Sequence, residues 1–371
     1  MAPSVAILGT RGYPSYYGGF ETLVRKLSPY LSDIGWDVTV YGRKSSISAT
    51  DTETDQRIQS ILTRGIESRS LSTLSYGLTS CLDCAQFRPD VALLMNVANG
   101  FWLPFLKARG VPTVINVDGI EWERAKWGRL AKLIFHSGAG LTGKYADKII
   151  FDSHVIARRW EAEFGRMGTF IPYGGSLPGT LHPVDNLKKR RYVLMVARFV
   201  PENTVHEFME AAQSLAANDD VVIVGSSGYG GEIEHKVSGL CRTSPRVQWF
   251  GHVSDDRRLF SLWQNAGAYF HGHSVGGTNP ALVQAMACGS PIVARDTEYN
   301  REVLGEAGLF VSPDSGRISA IIHGLMRDPA EQSRLSEAAR SRAKARYTWE
   351  KVLDDYSQIL LRTIEDASLR A

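Results

Sequence analysis

Short apolar runs alternate with stretches whose apolar residues recur at helical spacing, and the alternation persists along most of the chain. Strand followed by amphipathic helix, repeated, is the pattern of parallel sheets covered by helices. In the first half it predicts strands over 5–8, 37–41, 91–95, 113–117 and 148–151. Between the first two lies an amphipathic helix over 21–34, closed by Gly35 where a helix end favours glycine. The second half restarts the series, with strands over 192–196, 221–224, 247–250, 268–271, 291–294 and 309–311. Helices are predicted over 206–217, 256–265, 280–287 and 315–327. The stretch 172–188 is rich in glycine and proline without periodicity and reads as a linker. A final helix from Trp349 to about Leu369 is placed to cross back onto the first domain. The expected organisation is α/β: a doubly wound domain over 1–175, a second over 176–348, and a returning helix over 349–371.

Composition narrows the class. At 371 residues the chain exceeds one ordinary core and suits two domains. With 43% hydrophobic and 22% charged residues it has the balance of a globular protein. A net charge of +3, without a basic block or a recognised motif, argues against a nucleic-acid partner. The N-terminal residues lack the features of a signal peptide, and no apolar run approaches the roughly 18 residues that span a bilayer. The expected location is cytoplasmic, with peripheral contact to the inner face of a membrane as an option. Cys81 and Cys84 form one C-x-x-C without a second pair or histidines at ligand spacing. With Cys241 and Cys288 they read as buried thiols, and no metal is expected.

Two glycine-rich loops carry the candidate chemistry. After the strand over 268–271 come Ser274, Val275, Gly276, Gly277, Thr278 and Asn279, then Pro280 opening a helix. Proline suits the first helical position, and Asn279 or Thr278 suits the cap. Small residues there leave the helix N–H groups and dipole open to an anion. A tight turn without a ligand is the alternative. In the first half Gly18 and Gly19 precede Phe20 and Glu21 and make the same argument more weakly, with Arg11 and Tyr13 at the rim and a structural turn as a nearly equal alternative. Arg198 follows the strand over 192–196 directly, and its planar fork suits a diphosphate; a surface salt bridge is the alternative.

Taken together, VARFVPEN, GTNPALVQAMACGSPIVA, GTRGYPSYYGGFETLV, NVDGIEWERAKWGRLAK, YADKIIFDS and HGHSVGGTNP make the chain resemble the family 4 retaining glycosyltransferases. The likeness covers nearly the whole chain and is strongest to a bacterial subgroup that includes rhamnosyltransferases of surface-polysaccharide assembly. It implies the GT-B architecture, two Rossmann-like doubly wound domains facing across a cleft. It implies a nucleoside diphosphate sugar as donor substrate and no further cofactor. Direct transfer to a hydroxyl of a glycan, lipid-linked or small-molecule acceptor follows, retaining and metal-independent. By the resemblance Arg198 binds the diphosphate, and Gly276, Gly277, Thr278 and Asn279 touch phosphates and sugar. Gly251, His252 and Val253 lie near the base, and Gly18 and Gly19 contact phosphate from the first domain.

The chain departs from the family at three positions. The motif of two glutamates separated by seven residues has Gly276 first and Gln284 second. Glutamine at a ribose-binding position loses one charge-assisted bond, about 1.5–3 kcal/mol. The lysine frequent five residues after the arginine is Asn203, which leaves Arg198 to work alone. Gln284 keeps open a non-catalytic nucleotide-sugar-binding subunit, and the architecture also hosts sugar-nucleotide epimerases and phosphorylases.

His271 and His273 place two rings on one face of a strand, and His273 is read as facing the donor sugar, with core packing as the alternative. Asp118 and Glu121 follow the strand over 113–117 and are candidates for acceptor orientation or proton transfer. A helix cap by Asp118 is the plainer alternative. Trp122, Arg124, Lys126, Trp127, Arg129 and Lys132, interleaved with Leu130, Leu133 and Ile134, read either as a surface for anionic lipid or as a solvated helix face.

Overall fold

The structure, a computed structural model, describes residues 2–15, 18–43, 54–66, 72–124, 127–184, 186–228 and 230–370. Tyr16, Tyr17 and Lys126, which belong to the motifs above, lie outside them. The chain divides into two compact units: Met1–Pro172 with Trp349–Ala371, and Tyr173–Thr348.

The first unit is built on a parallel sheet of β1 (Ser4–Leu8), β2 (Asp37–Arg43), β3 (Gln59–Thr63), β4 (Val91–Met95), β5 (Thr113–Asn116), β6 (Lys148–Phe151) and β7 (Thr169–Phe170). Their order is β3-β2-β1-β4-β5-β6-β7. β1 and β4 are almost wholly buried, as strands covered on both faces must be. β3 escaped the apolar pattern because it is an edge strand with exposed Gln59 and Ser60. β7 has only two residues, too few to show a period. The helix Gly19–Asp33 buries Leu23, Val24, Leu27 and Leu31, one stripe at helical spacing. The helix Trp349–Ser368 buries Val352, Tyr356, Ile359 and Thr363 and packs on β4, β5 and the helix Gly19–Asp33.

The second unit holds β8 (Tyr192–Val196), β9 (Asp220–Val224), β10 (Val247–Trp249), β11 (Ala268–His271), β12 (Ile292–Arg295) and β13 (Leu309–Val311), in the order β10-β9-β8-β11-β12-β13. Alternate strand residues enter two separate cores. Leu194, Val222 and Tyr269 join Leu282 and Met286 on one face. Val193, Met195, Val221 and Phe270 join Phe208 and Ile318 on the other. The helices Glu232–Thr243 and Pro329–Arg346 were not anticipated, since most of their residues are polar and solvated.

Composition marks 172–188 as a linker, yet from Tyr173 onward it belongs to the second unit. Its backbone is held by side chains of the helix Asp256–Asn265. Gln264 Oε1 accepts from the Leu181 amide at 2.7 Å, and Ser261 Oγ donates to the His182 carbonyl at 2.6 Å. Gly175 forms a parallel bridge with Thr348, its amide donating to the Tyr347 carbonyl at 2.7 Å.

In each sheet the strand order reverses beside the unit's first strand, between β1 and β4 and between β8 and β11. Loops leaving the carboxyl ends of strands at such a reversal turn away in opposite directions, and the crevice they leave is where open α/β sheets take ligands.

Candidate functional site

In the second unit the loops after β8 and β11 meet at this reversal. Arg198 is exposed just beyond β8. Its carbonyl accepts from Asn203 Nδ2 and from the Val200 amide, both at 2.9 Å, which closes the loop. Asn203 therefore braces the arginine loop. Ser274 ties the β11 loop to it: amide and hydroxyl both donate to the Glu202 carbonyl, at 3.0 and 2.8 Å. Thr204 Oγ1 donates to the Gly272 carbonyl at 2.6 Å and accepts from Arg295 Nη1 at 3.0 Å. Asn300 Nδ2 donates to the carbonyls of His273 and Arg295 at 2.9 and 2.8 Å. Thr204 stands at φ 56, a costly region for a β-branched residue, and these bonds hold it there. Loops from β8, β11 and β12 thus form one bonded platform. Thr204 and Arg295 were missed by sequence reading, because a strained backbone and a contact 91 positions away leave no local pattern.

The turn after His273 rises from this platform. Gly276 has φ 104, a conformation side-chain-bearing residues rarely take. The amides of Gly276, Gly277 and Asn279 donate no hydrogen bond among the described residues. Asn279 Oδ1 caps the Ala281 amide at 3.0 Å, and Pro280 occupies the first position of the helix Pro280–Cys288. Unused amides and a helix N-terminus concentrate positive potential at the turn, and Arg198 belongs to the loop bonded to it through Ser274 and Glu202. Thr278 is buried under the turn.

His271 and His273 stack with ring centroids 4.4 Å apart and planes 13° from parallel. His271 is fully buried, its Nδ1 3.0 Å from Tyr269 Oη. Burial, and then the neighbouring His273, hold its pKa well below the ordinary imidazole value, so it is neutral in the fold. The sign follows. Above about pH 6.5 both states are neutral; below it the unfolded imidazole takes a proton that the folded one refuses, and stability falls with pH. Between pH 7 and pH 5 the parent should lose more stability than His271→Gln, up to a ceiling of about 2 kcal/mol set by the unfolded imidazole, read from denaturant unfolding. Equal losses would contradict this assignment.

Beyond β9 and β10, Gly225 approaches the arginine loop so closely that a Cβ there would collide with the Ala197 carbonyl oxygen. Its amide donates to Gly251 at 2.7 Å, and its carbonyl accepts from Trp249 Nε1 at 2.8 Å. Trp249 stacks on Phe199, centroids 6.0 Å apart. His252 is exposed past this junction and Val253 is buried. The glycines of VGSSGYGG were an available signal for this loop that sequence reading passed over.

Gln284 has partners within the second unit. It is buried on the helix Pro280–Cys288, its Oε1 accepting from the Ser176 amide at 2.9 Å and its Nε2 donating to the Ser176 carbonyl at 2.8 Å. Nε2 also lies 3.4 Å from Cys288 Sγ. The carboxamide grips one residue, Ser176, by both its backbone groups. Burial pushes the thiols of Cys84 and Cys288 up to about 12, while Cys241 is only half-buried.

In the first unit, Gly18 caps the helix Gly19–Asp33 without a side-chain bond. The buried Glu21 carboxyl sits in that first turn. Burial raises its pKa, while backbone amides of Glu21 and Arg11 and the charges of Arg11 and Arg43 pull it back. The chain's own carboxyl therefore shares the place where Gly18 and Gly19 were expected to meet phosphate.

Asp118 has φ 62 and caps no helix; the short turn Glu121–Glu123 is preceded by Ile120 instead. Arg124 Nη2 lies 4.0 Å from its carboxylate. Glu121 is buried, with Arg124 Nε at 2.6 Å and Trp127 Nε1 donating to it at 3.0 Å, so both its oxygens are engaged. Trp122 packs edge-on against Trp160 and Phe164, centroids 6.1 and 5.8 Å away, and Trp127 lies against Phe135 at 5.2 Å. The tryptophans of the membrane reading thus pack against other aromatic rings. Leu130 and Leu133, on the helix Arg129–Tyr145, are exposed at 73% and 61%. No helix among the described residues is long and apolar enough to cross a membrane.

Residues 180–342 match the family profile described as Glycosyl transferases group 1, and residues 2–176 match a domain of unknown function, DUF1972. The first of these matches falls within the second unit. A stretch of 244 residues, 62% of this chain, is 29% identical to phosphatidyl-myo-inositol mannosyltransferase of Mycolicibacterium smegmatis and spans 60% of that protein's length. Among solved structures, sucrose-phosphate synthase from Thermosynechococcus elongatus superposes with a TM-score of 0.80 over 99% of this chain and 100% of that one, at 20% identity. Anabaena HepE in complex with UDP-glucose gives 0.75 over 98% and 100%, at 14% identity. The fold is GT-B, two Rossmann-like domains with parallel sheets.

Proposed function

We propose that the chain is a glycosyltransferase that moves a hexose from a nucleoside diphosphate sugar to a hydroxyl acceptor. The observation that supports this reading is the bonded platform at the β8–β11 reversal, which ties the loop carrying Arg198 to the loop that leads into the Gly276–Asn279 turn. As the sugar–phosphate bond breaks, negative charge grows on the leaving diphosphate; fixed amides and a guanidinium stabilise that charge more than the ground state. In this reading the helix N-terminus and Arg198 do work that other enzymes give to a metal, and transfer is retaining. Motif resemblance favours a rhamnosyl donor, and the mycobacterial relative favours a mannosyl one. Asp118 is the acceptor-orienting carboxylate, whereas the engaged oxygens of Glu121 suit it to hold Arg124 and Trp127 in place.

The exposed Leu130 and Leu133 beside Arg129 and Lys132 support a lipid-linked acceptor and contact with an anionic membrane surface. Sedimentation with anionic vesicles at low salt tests that contact, and absence of binding rules it out. The main reading is tested by a thermal-shift screen over UDP-, GDP- and dTDP-sugars. At one hundred times its Kd the true donor stabilises the fold by about 2.7 kcal/mol. Turnover of that donor by the purified chain separates an enzyme from a binding subunit, and a flat screen contradicts both.

A further inference from the structure

We infer that Tyr356, on the returning helix Trp349–Ser368, is a positioning residue that acts through Asn116 to hold Asp118. The inference rests on the proposed acceptor role of Asp118 and assigns it a support that neither local sequence nor the strand order reveals.

Asn116 ends β5 and is buried. Its Nδ2 donates to Tyr356 Oη at 2.7 Å, and its Oδ1 accepts from the Asp118 amide at 3.0 Å. One carboxamide thus joins the returning helix to the residue after next. The bridge has a fixed sense, because with the amide reversed its NH2 would face the Asp118 N–H. Asp118 needs such a hold: φ 62 is a left-handed conformation that aspartate tolerates only at some cost. Tyr356 is fully buried, and burial first, then the charges of Asp152 and Asp118, keep its phenol protonated, against the opposing pull of Asn116. A neutral phenol therefore presents a steady acceptor to Asn116 at the carboxyl ends of β5 and β6. Removing the phenol oxygen strands the Asn116 NH2 in the interior, frees the carboxamide to turn, and releases the Asp118 amide.

The test is a double-mutant cycle of Tyr356→Phe and Asp118→Asn, with native-state hydrogen exchange as a readout independent of turnover. In Tyr356→Phe the Asp118 amide should exchange about tenfold faster while amides of β4 keep their protection. With UDP-glucose and GDP-mannose as donor probes and water as the acceptor that takes the sugar, Tyr356→Phe should lower kcat for nucleoside diphosphate release about tenfold at unchanged donor KM. In the Asp118→Asn background the same substitution should lower it no further. Unchanged exchange at Asp118, or an equal loss of kcat in both backgrounds, overturns the proposal. If Asp118→Asn turns over at the parental rate, the acceptor reading falls and the positioning role falls with it. A slow Asp118→Asn beside a parental Tyr356→Phe overturns the positioning role alone. Should Tyr356→Phe fail to fold, Asn116→Ser breaks the same bridge and is read by the same outcomes.

Discussion

Arg198→Ala lowers donor turnover by a factor of about 10² to 10³, the range seen when one fixed donor to a developing anion is removed. The loss should fall mainly on kcat, since the guanidinium meets more charge in the transition state than in the bound donor. Its position separates this effect from folding. Arg198 is exposed, and what holds its loop is the backbone: the Arg198 carbonyl with Asn203 and Val200, and the Phe199 amide with Ser226 at 3.1 Å. None of these uses the guanidinium, so unfolding stability should stay within about 0.5 kcal/mol of the parent. Arg198→Lys keeps the charge, loses the planar fork, and should lie between the two. Steady-state kinetics beside a denaturant melt check both statements. A large stability loss would recast the arginine as structural.

Gln284→Glu should weaken the protein, although it restores the residue usual in the resembling family. If Gln284 held ribose, the added charge would tighten the donor. The geometry requires the reverse. A carboxylate still accepts from the Ser176 amide but cannot donate to the Ser176 carbonyl, and it sets an anion against that oxygen inside the unit. Leaving one buried acceptor unpaired and opposing it costs about 2–3 kcal/mol, or roughly 5–10 °C in Tm. Burial also raises the pKa of the introduced carboxyl above its unfolded value. Its protonated form can donate to Ser176 again, so the deficit is full near neutral pH and shrinks as pH falls through the raised value. A more stable variant with a tighter donor at pH 7 would return Gln284 to the nucleotide.

These two residues show what the sequence could and could not disclose. The strand-then-arginine and the Thr-Asn-Pro helix start are local: apolar run, loop and cap lie within a few positions, and physical chemistry reads them directly. The role of Gln284 depends on a peptide 108 positions away. That of Asn116 depends on a phenol 240 positions away. No period or motif encodes such pairings. Glu21 stood within a motif already singled out, but only the fold buries its carboxyl beside Arg11 and Arg43. Trp122 and Trp127 are a related case. Their motif leaves a lipid-facing stripe and a solvated helix face both open, and does not disclose their ring contacts with Trp160, Phe164 and Phe135.

In the proposed reading, amides of the Gly276–Asn279 turn and the guanidinium of Arg198 hold a diphosphate at the β8–β11 reversal. Calorimetric titration of UDP, GDP and dTDP, each beside its nucleoside, into the parent and Arg198→Ala tests it most directly. One diphosphate should bind the parent, its nucleoside should bind far more weakly, and Arg198→Ala should lose about 1.5–3 kcal/mol of the diphosphate's affinity. Equal binding of a diphosphate by the parent and by Arg198→Ala would contradict it.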